Sequence, residues 1–188
     1  MSSTLPRPVL APILVFIGLE IAGQSYLAPP RRHAAAVTLA LLPSVAQLVV
    51  IFLSQIQGGA LMTAALDPEA TARASGITNP AFIHTCGVMI MLGNGFILTA
   101  LLWGSAAAFL IDRQVGRASV VLVACGVLSF FGFIHSVLPS GGVYWPWSLT
   151  TVLPYHWAIG YIGLAVLVFG MSRTAAFRES APAHELAA

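Results

Sequence analysis

Residues 116–139 read GRASVVLVACGVLSFFGFIHSVLP, and this stretch decides what kind of protein the chain encodes. It is apolar over a length that can cross a bilayer, because a spanning helix needs about 20 apolar residues. The DRQVGR segment before it carries Arg113 and Arg117, and the loop after it contains the aromatic segment YWPW at residues 144–147. Arginines at one end and aromatic rings at the other are typical of the two membrane–water interfaces. The stretch therefore predicts a transmembrane helix.

The composition of the whole chain agrees with a membrane environment. Of its 188 residues, 58% are hydrophobic and only 7% are charged, and the mean hydropathy is +0.90. A soluble domain carries about 25% charged residues, so this chain cannot cover a water-facing surface with polar side chains. The net charge of +2 is too small to indicate a nucleic-acid partner. We therefore predict an all-α, polytopic integral membrane protein whose solvent is membrane lipid.

Five apolar segments are long enough to span the membrane. Pro43 is expected to kink the second of them. The third, residues 82–111, is about 45 Å long at 1.5 Å per residue, whereas the hydrocarbon core is about 30 Å thick. This span must therefore tilt, protrude or break near Gly93-Asn94-Gly95. The predicted spans are residues 9–28, 34–57, 82–111, 118–138 and 155–172.

The segments outside the spans differ in character. The connection at residues 58–81 contains Asp67-Pro68, and Asp at an N-cap followed by Pro at the first helical position predicts a short interfacial helix. The first span lacks a small-residue cleavage pattern, so we expect it to be retained. A single helical domain is expected over residues 1–178, followed by a disordered tail at residues 179–188.

The arginines are distributed unequally between the two sides of this predicted topology. With five spans, two arginines fall on the side of the N-terminus and six on the other side. Because positively charged loops stay in the cytoplasm, we expect an inner-membrane protein with its N-terminus outside and its C-terminus in the cytoplasm. The two are Arg7 and Arg73, and the six are Arg31, Arg32, Arg113, Arg117, Arg173 and Arg178.

A few polar side chains inside the predicted spans are candidates for intramembrane function. Glu20 is the only acid well inside a span, and an intramembrane carboxylate is costly unless it faces protein or water. Gln24 follows four residues later on the same helix face. Glu20 is either a protonated acid bonded to Gln24 or a neighbouring helix, or a group with a proton- or substrate-linked role. Gln47 and Asn94 complete the set, and interhelical hydrogen bonding is their alternative role.

Three histidines are expected near the outer face. His84 begins the third span, His135 ends the fourth and His156 begins the fifth. They could stabilise the interface, sense pH, or bind a metal or haem. No two of them are three or four residues apart, so no ligand pair within one helix supports a metal site. We therefore expect no metal and no cofactor, and we expect Cys86 and Cys125 to be buried small hydrophobic residues.

Two stretches of the chain resemble one family of membrane transporters. Residues 7–47, RPVLAPILVFIGLEIAGQSYLAPPRRHAAAVTLALLPSVAQ, are similar to the late transmembrane region of nucleobase–ascorbate permeases. The nearest resemblance is to the xanthine/uracil permease-like branch, allied to the adenine–guanine–hypoxanthine transporters. Residues 104–136, GSAAAFLIDRQVGRASVVLVACGVLSFFGFIHS, resemble the C-terminal end of the same branch. The two stretches cover more than a third of the chain and follow the family's order.

The resemblance implies one part of a two-domain transporter. In that family a core domain holds two half-helices and the nucleobase site, and a gate domain forms the surface against which the core moves. The first three spans of this chain resemble gate helices, followed by two extra spans that are typical of the branch. Nothing in the chain matches the core domain, so no substrate-binding residue is carried over from the family.

Three interpretations of function remain at this point. The first is the gate-domain part of a split or partial xanthine, uracil or purine permease, which requires a core-domain chain or self-association. The second is an accessory or regulatory membrane subunit that does not transport. The third is a haem- or metal-binding oxidoreductase subunit that uses the outer histidines. The sequence contains no phosphate-binding glycine loop, nucleophile elbow or HExxH motif, so we predict that the chain is not an enzyme.

Overall fold

A computed structural model describes residues 7–56, 59–149 and 151–173. Every regular element within these ranges is helical, which confirms the predicted all-α class. The tail at residues 179–188 lies outside the described residues. The α-helices are α1 Arg7–Leu27, α2 Ala34–Ile56, α3 Pro68–Ser75, α4 Pro80–Gly93, α5 Phe96–Ile111, α6 Val115–Phe130 and α7 Leu153–Met171, with short 3-10 turns at Arg31–His33, Ala60–Thr63 and Pro146–Ser148.

The helices of the described ranges have membrane-type length and composition. Two are long and apolar enough to cross a bilayer alone, one running over Arg31–Gln55 and the other being α7. The bent pair α4 and α5 qualifies as a third if it is counted as one span. α6 and the part of α1 from Pro12 onward are shorter apolar helices. The count of five spans remains a prediction.

The third predicted span is broken into two helices. α4 and α5 are bent by 78° relative to each other. Of the three predicted alternatives (tilt, protrusion or a break near Gly93-Asn94-Gly95), the structure shows the break. Asn94 is extended, and Gly95 has a φ of +74°. A Cβ at Gly95 would collide with the carbonyl oxygen of Phe133. Glycine is therefore required here both by its backbone conformation and by the close approach of another segment.

The fourth predicted span, residues 118–138, is wrong in its last third. α6 ends at Phe130, and the chain continues without regular structure. Gly132 and His135 have φ values of +78° and +55°, which a right-handed helix cannot contain. A Cβ at Gly132 would collide with the ring of Tyr144. The segment remains apolar after the helix ends, so its hydropathy alone could not reveal the change in conformation.

Other local predictions are confirmed. The Asp67 side chain caps α3, because its Oδ1 accepts a hydrogen bond from the Ala70 N–H at 2.8 Å. A short helix therefore does form between the second and third predicted spans. Cys86 and Cys125 are both buried, and neither forms a disulfide. α2 is a single helix that contains Pro43, and the kink expected at this residue stays a prediction.

The helices pack as a bundle with two main cores. α2 lies against α4 and α5, and α6 packs between α5 and α7. Leu122 and Cys125 lie in the core shared by α5, α6 and α7, whereas Ile83 and Ile90 lie in the core shared by α2 and α4. Most side chains of α1 from residue 12 onward are exposed. The bundle is therefore formed by α2 and α4–α7, and α1 lies at its edge.

An ionic contact fixes the turn between α1 and α2 to the end of α5. Asp112 Oδ1 lies 2.8 Å from His33 Nε2 and 3.1 Å from the Arg32 guanidinium. On the α1 side, the Tyr26 hydroxyl is hydrogen-bonded to the Thr38 hydroxyl at 3.1 Å. These contacts hold the C-terminal end of α1 while the rest of that helix stays largely uncovered.

Candidate functional site: a buried histidine at a helix break

The segment that follows α6 fills the break between α4 and α5. We call residues 131–142 the junction loop. Asn94 Nδ2 donates to the carbonyl oxygens of Ser136 and Leu138 at 2.8 and 3.0 Å, and the His135 N–H donates to the Asn94 carbonyl at 3.0 Å. Backbone groups that no helix satisfies are therefore paired between the two irregular segments, as buried backbone requires.

Protein covers the centre of the junction loop, at residues 134–137. Ile134, His135 and Val137 are each 0% exposed, and Ser136 Oγ donates to the Gly142 carbonyl at 2.7 Å. Non-helical backbone at membrane depth is tolerated only where it is buried in protein or lines a water-filled cavity. Residues 134–137 meet that condition through burial, whereas Phe133 and Ser140 are exposed.

Tyr144 closes the junction loop on the side of the α6–α7 connection. Its ring packs directly on Gly132, and its hydroxyl donates to the Ser129 carbonyl at 3.5 Å. Burial raises the pKa of the Tyr144 phenol to about 12. The hydroxyl therefore stays protonated at neutral pH and remains a hydrogen-bond donor.

His135 lies at the centre of the junction loop. Its positive φ is uncommon for a residue with a Cβ, although histidine is one of the types enriched in that region. The imidazole stacks on the Trp157 ring with centroids 4.2 Å apart, and it lies nearly parallel to the Tyr161 ring at 5.7 Å. Strained backbone that is held by its surroundings clusters at functional sites. His135 is therefore the leading candidate for a functional residue.

A directional chain of hydrogen bonds runs through His135. Trp103 Nε1 donates to the Tyr161 hydroxyl at 2.7 Å, and that hydroxyl lies 2.6 Å from His135 Nε2. His135 Nδ1 lies 3.3 Å from the Met91 carbonyl oxygen. Because a carbonyl can only accept, Nδ1 carries the proton of the neutral ring, and Nε2 accepts from Tyr161. Both ring nitrogens are therefore engaged, which disfavours His135 as a metal or haem ligand.

Two cavities lie on either side of this hydrogen-bond chain. One has a volume of about 300 Å³ and is lined by Trp103, Trp157 and Tyr161, with His156 also in its wall. The other has a volume of about 190 Å³, and Met91 is among the residues that line it. The hydrogen-bond chain therefore connects the wall of one cavity to the wall of the other.

The structure separates the three histidines that the sequence suggested as an outer-face group. His135 is buried, whereas His84 and His156 are exposed, and each of these two lines a different cavity. Within the described ranges, no group of three or more His, Cys, Asp or Glu side chains could hold a metal ion. The three rings therefore form no shared metal site in the described part of the chain.

Two of the intramembrane candidates, Gln47 and Asn94, meet at the helix break. Gln47 Oε1 is buried and has no hydrogen-bond partner among the described residues. It lies so close to Gly93 that a Cβ there would be 2.6 Å from this oxygen. Gln47 therefore approaches the end of α4 from α2, and Asn94 fastens the same point to the junction loop.

The other two candidates, Glu20 and Gln24, lie away from the junction. Gln24 Nε2 donates to Glu20 Oε1 at 3.0 Å, and both side chains are exposed. Ala22 and Ser25 are the partly covered residues of this part of α1. At 3.6 residues per turn they lie on the side of α1 roughly opposite Glu20 and Gln24. The described chain therefore supplies no protein surface for the Glu20–Gln24 pair.

Sequence reasoning named His135 and Asn94 but missed Trp103 and Tyr161. Both lie in the middle of their helices, where an interfacial aromatic belt does not reach. A buried Trp or Tyr usually needs a partner for its polar atom. An aromatic residue with a polar atom in mid-span was therefore the signal that could have identified them.

No family model, no curated protein and no solved structure matches this chain.

Proposed function

We propose that this chain is the gate-type part of a nucleobase permease-like transporter and works only with a second membrane body. That second body is a core-type chain or another copy of this chain. The proposal rests on the resemblance of residues 7–47 and 104–136 to the permease family, together with the uncovered polar face of α1. α1 lies within the first of these two stretches.

The uncovered face of α1 is the observation that carries the proposal. Glu20 and Gln24 are exposed within an apolar helix, and Phe16 and Leu19 beside them are each 69% exposed. A carboxylate at mid-bilayer costs about 2.5–3.5 kcal/mol even on the lenient insertion scale. Gln24 satisfies one carboxylate oxygen only in part, and acyl chains offer no further donor. A protein partner packed on this face removes the cost, because it can supply the missing hydrogen bonds.

The broken helix pair is a feature that this chain shares with secondary transporters, but the backbone groups around Asn94 at the break are already paired within the chain. Secondary transporters place discontinuous helices near the bilayer midplane, where freed backbone groups bind substrates and coupling ions. Here the break is filled by the junction loop, which already uses the backbone groups around Asn94. The chain alone therefore offers one wall of a path rather than the several convergent groups that a nucleobase pocket needs.

The first experiment identifies what lies against α1. A photo-reactive amino acid replaces Gln24 in native membranes, and the matched control replaces Ser25 on the side of α1 that faces α2. We expect position 24 to form adducts with a permease core-type chain or a second copy, and position 25 to cross-link within the chain. Adducts to lipid alone at position 24 contradict the proposal.

The second experiment measures transport. The purified chain is reconstituted in liposomes with and without the protein captured at position 24, and uptake of labelled xanthine, uracil and adenine is followed. We expect uptake only when both proteins are present. Saturable uptake by this chain alone refutes the need for a partner. No uptake with either preparation favours an accessory subunit, and a haem-like visible absorption spectrum of the purified chain favours an oxidoreductase subunit.

A further inference from the structure

A cavity that contains two arginines lies where α5, α6 and α7 meet at one end of the bundle. Its volume is about 520 Å³. Arg113 and Arg117 line it from the α5–α6 turn and the first turn of α6, and Ser172 lines it from the end of α7. None of its described lining residues is acidic. The cavity therefore combines positive charge with residues from two separate parts of the chain.

The acidic residue beside this cavity in the sequence is engaged elsewhere. Asp112 pairs with Arg32 and His33 of the α1–α2 turn. Within the cavity wall, Arg117 donates to Gln114 Oε1 at 2.8 Å. An amide oxygen orients the guanidinium without neutralising its charge. Arg117 is therefore held at the cavity with its positive charge uncompensated by this contact.

The cavity lies at the ends of three apolar helices. α5 ends at Ile111, α6 begins at Val115 and α7 ends at Met171, so the cavity lies just beyond the apolar part of three packed helices. One helical turn away from the cavity, Val120 of α6 is 69% exposed and Phe169 of α7 is 46% exposed. Lipid phosphates lie directly above such an apolar surface in a bilayer. The charged cavity and the apolar surface below it thus match the two parts of a phospholipid.

We propose that this cavity binds a phosphate-bearing anion, the headgroup of an anionic phospholipid, at the Arg117 guanidinium, with Arg113 in the same cavity wall. Arginine suits this ligand because its planar fork of N–H groups can donate two hydrogen bonds to one phosphate. An excess of basic side chains at a membrane surface attracts anionic lipids in general. The contact of Arg117 with Gln114 adds a preferred position for the headgroup in this open cavity. The inference is separate from the proposed function, because it uses the ends of α5, α6 and α7 rather than the face of α1.

The test compares lipid binding to the detergent-purified full chain by native mass spectrometry. Phosphatidylglycerol is the anionic probe, and phosphatidylcholine is the zwitterionic one. Arg117→Gln removes one charge from the cavity, and the matched control Arg31→Gln removes one charge at the same end of the bundle but outside the cavity. We expect Arg117→Gln to weaken phosphatidylglycerol binding about tenfold, the effect of losing one charge-assisted hydrogen bond. Arg31→Gln should leave phosphatidylglycerol binding unchanged, and neither variant should alter phosphatidylcholine binding.

A second arm distinguishes the source of the phosphate. Inorganic phosphate is added as a competitor and is also tested for binding alone. Failure of inorganic phosphate to displace phosphatidylglycerol supports a lipid headgroup as the ligand. If inorganic phosphate displaces phosphatidylglycerol and this displacement is lost in Arg117→Gln, the cavity is a phosphate site whose ligand is a soluble phosphate compound rather than a lipid. Arg113→Gln and Arg117→Lys keep the test informative if Arg117→Gln does not fold, and each is expected to weaken binding of the phosphate ligand. Equal losses with Arg31→Gln and Arg117→Gln, or no loss in folded cavity variants, overturn the proposal.

Discussion

Glu20 on α1 and His135 in the junction loop are both polar groups inside apolar sequence, and the structure surrounds them very differently. His135 is completely buried, and both of its ring nitrogens have partners within the chain. Glu20 is exposed, and its hydrogen bond comes from Gln24 on the same helix. Loss of a partner from a satisfied buried group is costly to the fold. An exposed group on an apolar helix instead becomes costly when the helix enters lipid.

The difference indicates which region folds unaided and which region needs assembly. The junction loop is held by contacts between α4, α5, α7 and residues 131–142, all of which the chain supplies. The outer face of α1 lacks such contacts. Variants of the junction should therefore destabilise the isolated chain, whereas variants of the α1 face should affect association and leave the isolated chain stable.

The largest effect is expected from Gly95→Ala. The left-handed backbone at Gly95 costs a residue with a Cβ about 1–2 kcal/mol, and the collision with Phe133 adds an overpacking cost of about 1–3 kcal/mol. The control is Gly163→Ala, because a Cβ there meets no atom within 4 Å. Thermal unfolding in detergent should show a strong loss of stability for the first variant and none for the second. Equal stability of the two variants would contradict the close approach of Gly95 to Phe133 of the junction loop.

A slightly smaller effect is expected from His135→Ala. The substitution removes a stacked ring from a buried site and leaves the Tyr161 hydroxyl without its acceptor, which together should cost about 2–4 kcal/mol. The exposed His156 provides the control, and His156→Ala should stay within about 0.5 kcal/mol of the parent. The measurement is thermal unfolding, with tryptophan emission, to which Trp157 and the chain's three other tryptophans contribute, as a second readout. Similar losses for both histidines would contradict the contrast between buried and exposed rings.

Tyr161→Phe tests the hydrogen-bond chain without disturbing the packing of the ring. It leaves Trp103 Nε1 and His135 Nε2 without a partner, and we expect a loss of about 1–3 kcal/mol from unsatisfied buried groups. Tyr155→Phe is the matched control, because its hydroxyl makes one longer bond, at 3.3 Å, to the Pro146 carbonyl. Chemical or thermal unfolding of the two variants should rank Tyr161→Phe as the less stable. The reverse order would show that the hydrogen-bond chain through Trp103, Tyr161 and His135 contributes little to the stability of the fold.

The smallest effect on the isolated chain is expected from Glu20→Gln. The side chain is exposed, and its hydrogen bond among the described residues is to Gln24 of the same helix, so the unfolding temperature of the purified protein should not change. Its effect should appear as weaker cross-linking from position 24 to the partner in native membranes, with Thr85→Ala on the exposed side of α4 as the control. A lowered unfolding temperature together with unchanged cross-linking would show that the α1 face stabilises the isolated chain rather than its association with a partner.

Part of the junction could be predicted because it depends on local sequence. A span too long for the bilayer must tilt, protrude or break, and Gly93-Asn94-Gly95 marked the place where a break could occur. His135, Asn94 and Gln47 could be named because polar residues in apolar stretches are conspicuous. Their environments could not be predicted, since Asn94 binds Ser136 and Leu138 more than 40 residues away.

The sequence by itself determined that this is an all-helical protein of membrane type, because apolar runs, scarce charges and helix-capping residues act locally. It also determined the short helix α3, through the Asp67 cap and the proline that follows it. Only the tertiary structure decided where α6 ends and that His135 is buried in contact with Trp157 and Tyr161. It also decided that the Glu20–Gln24 pair faces away from the bundle. These features depend on contacts between distant residues, and such contacts leave no periodic signal in a single sequence.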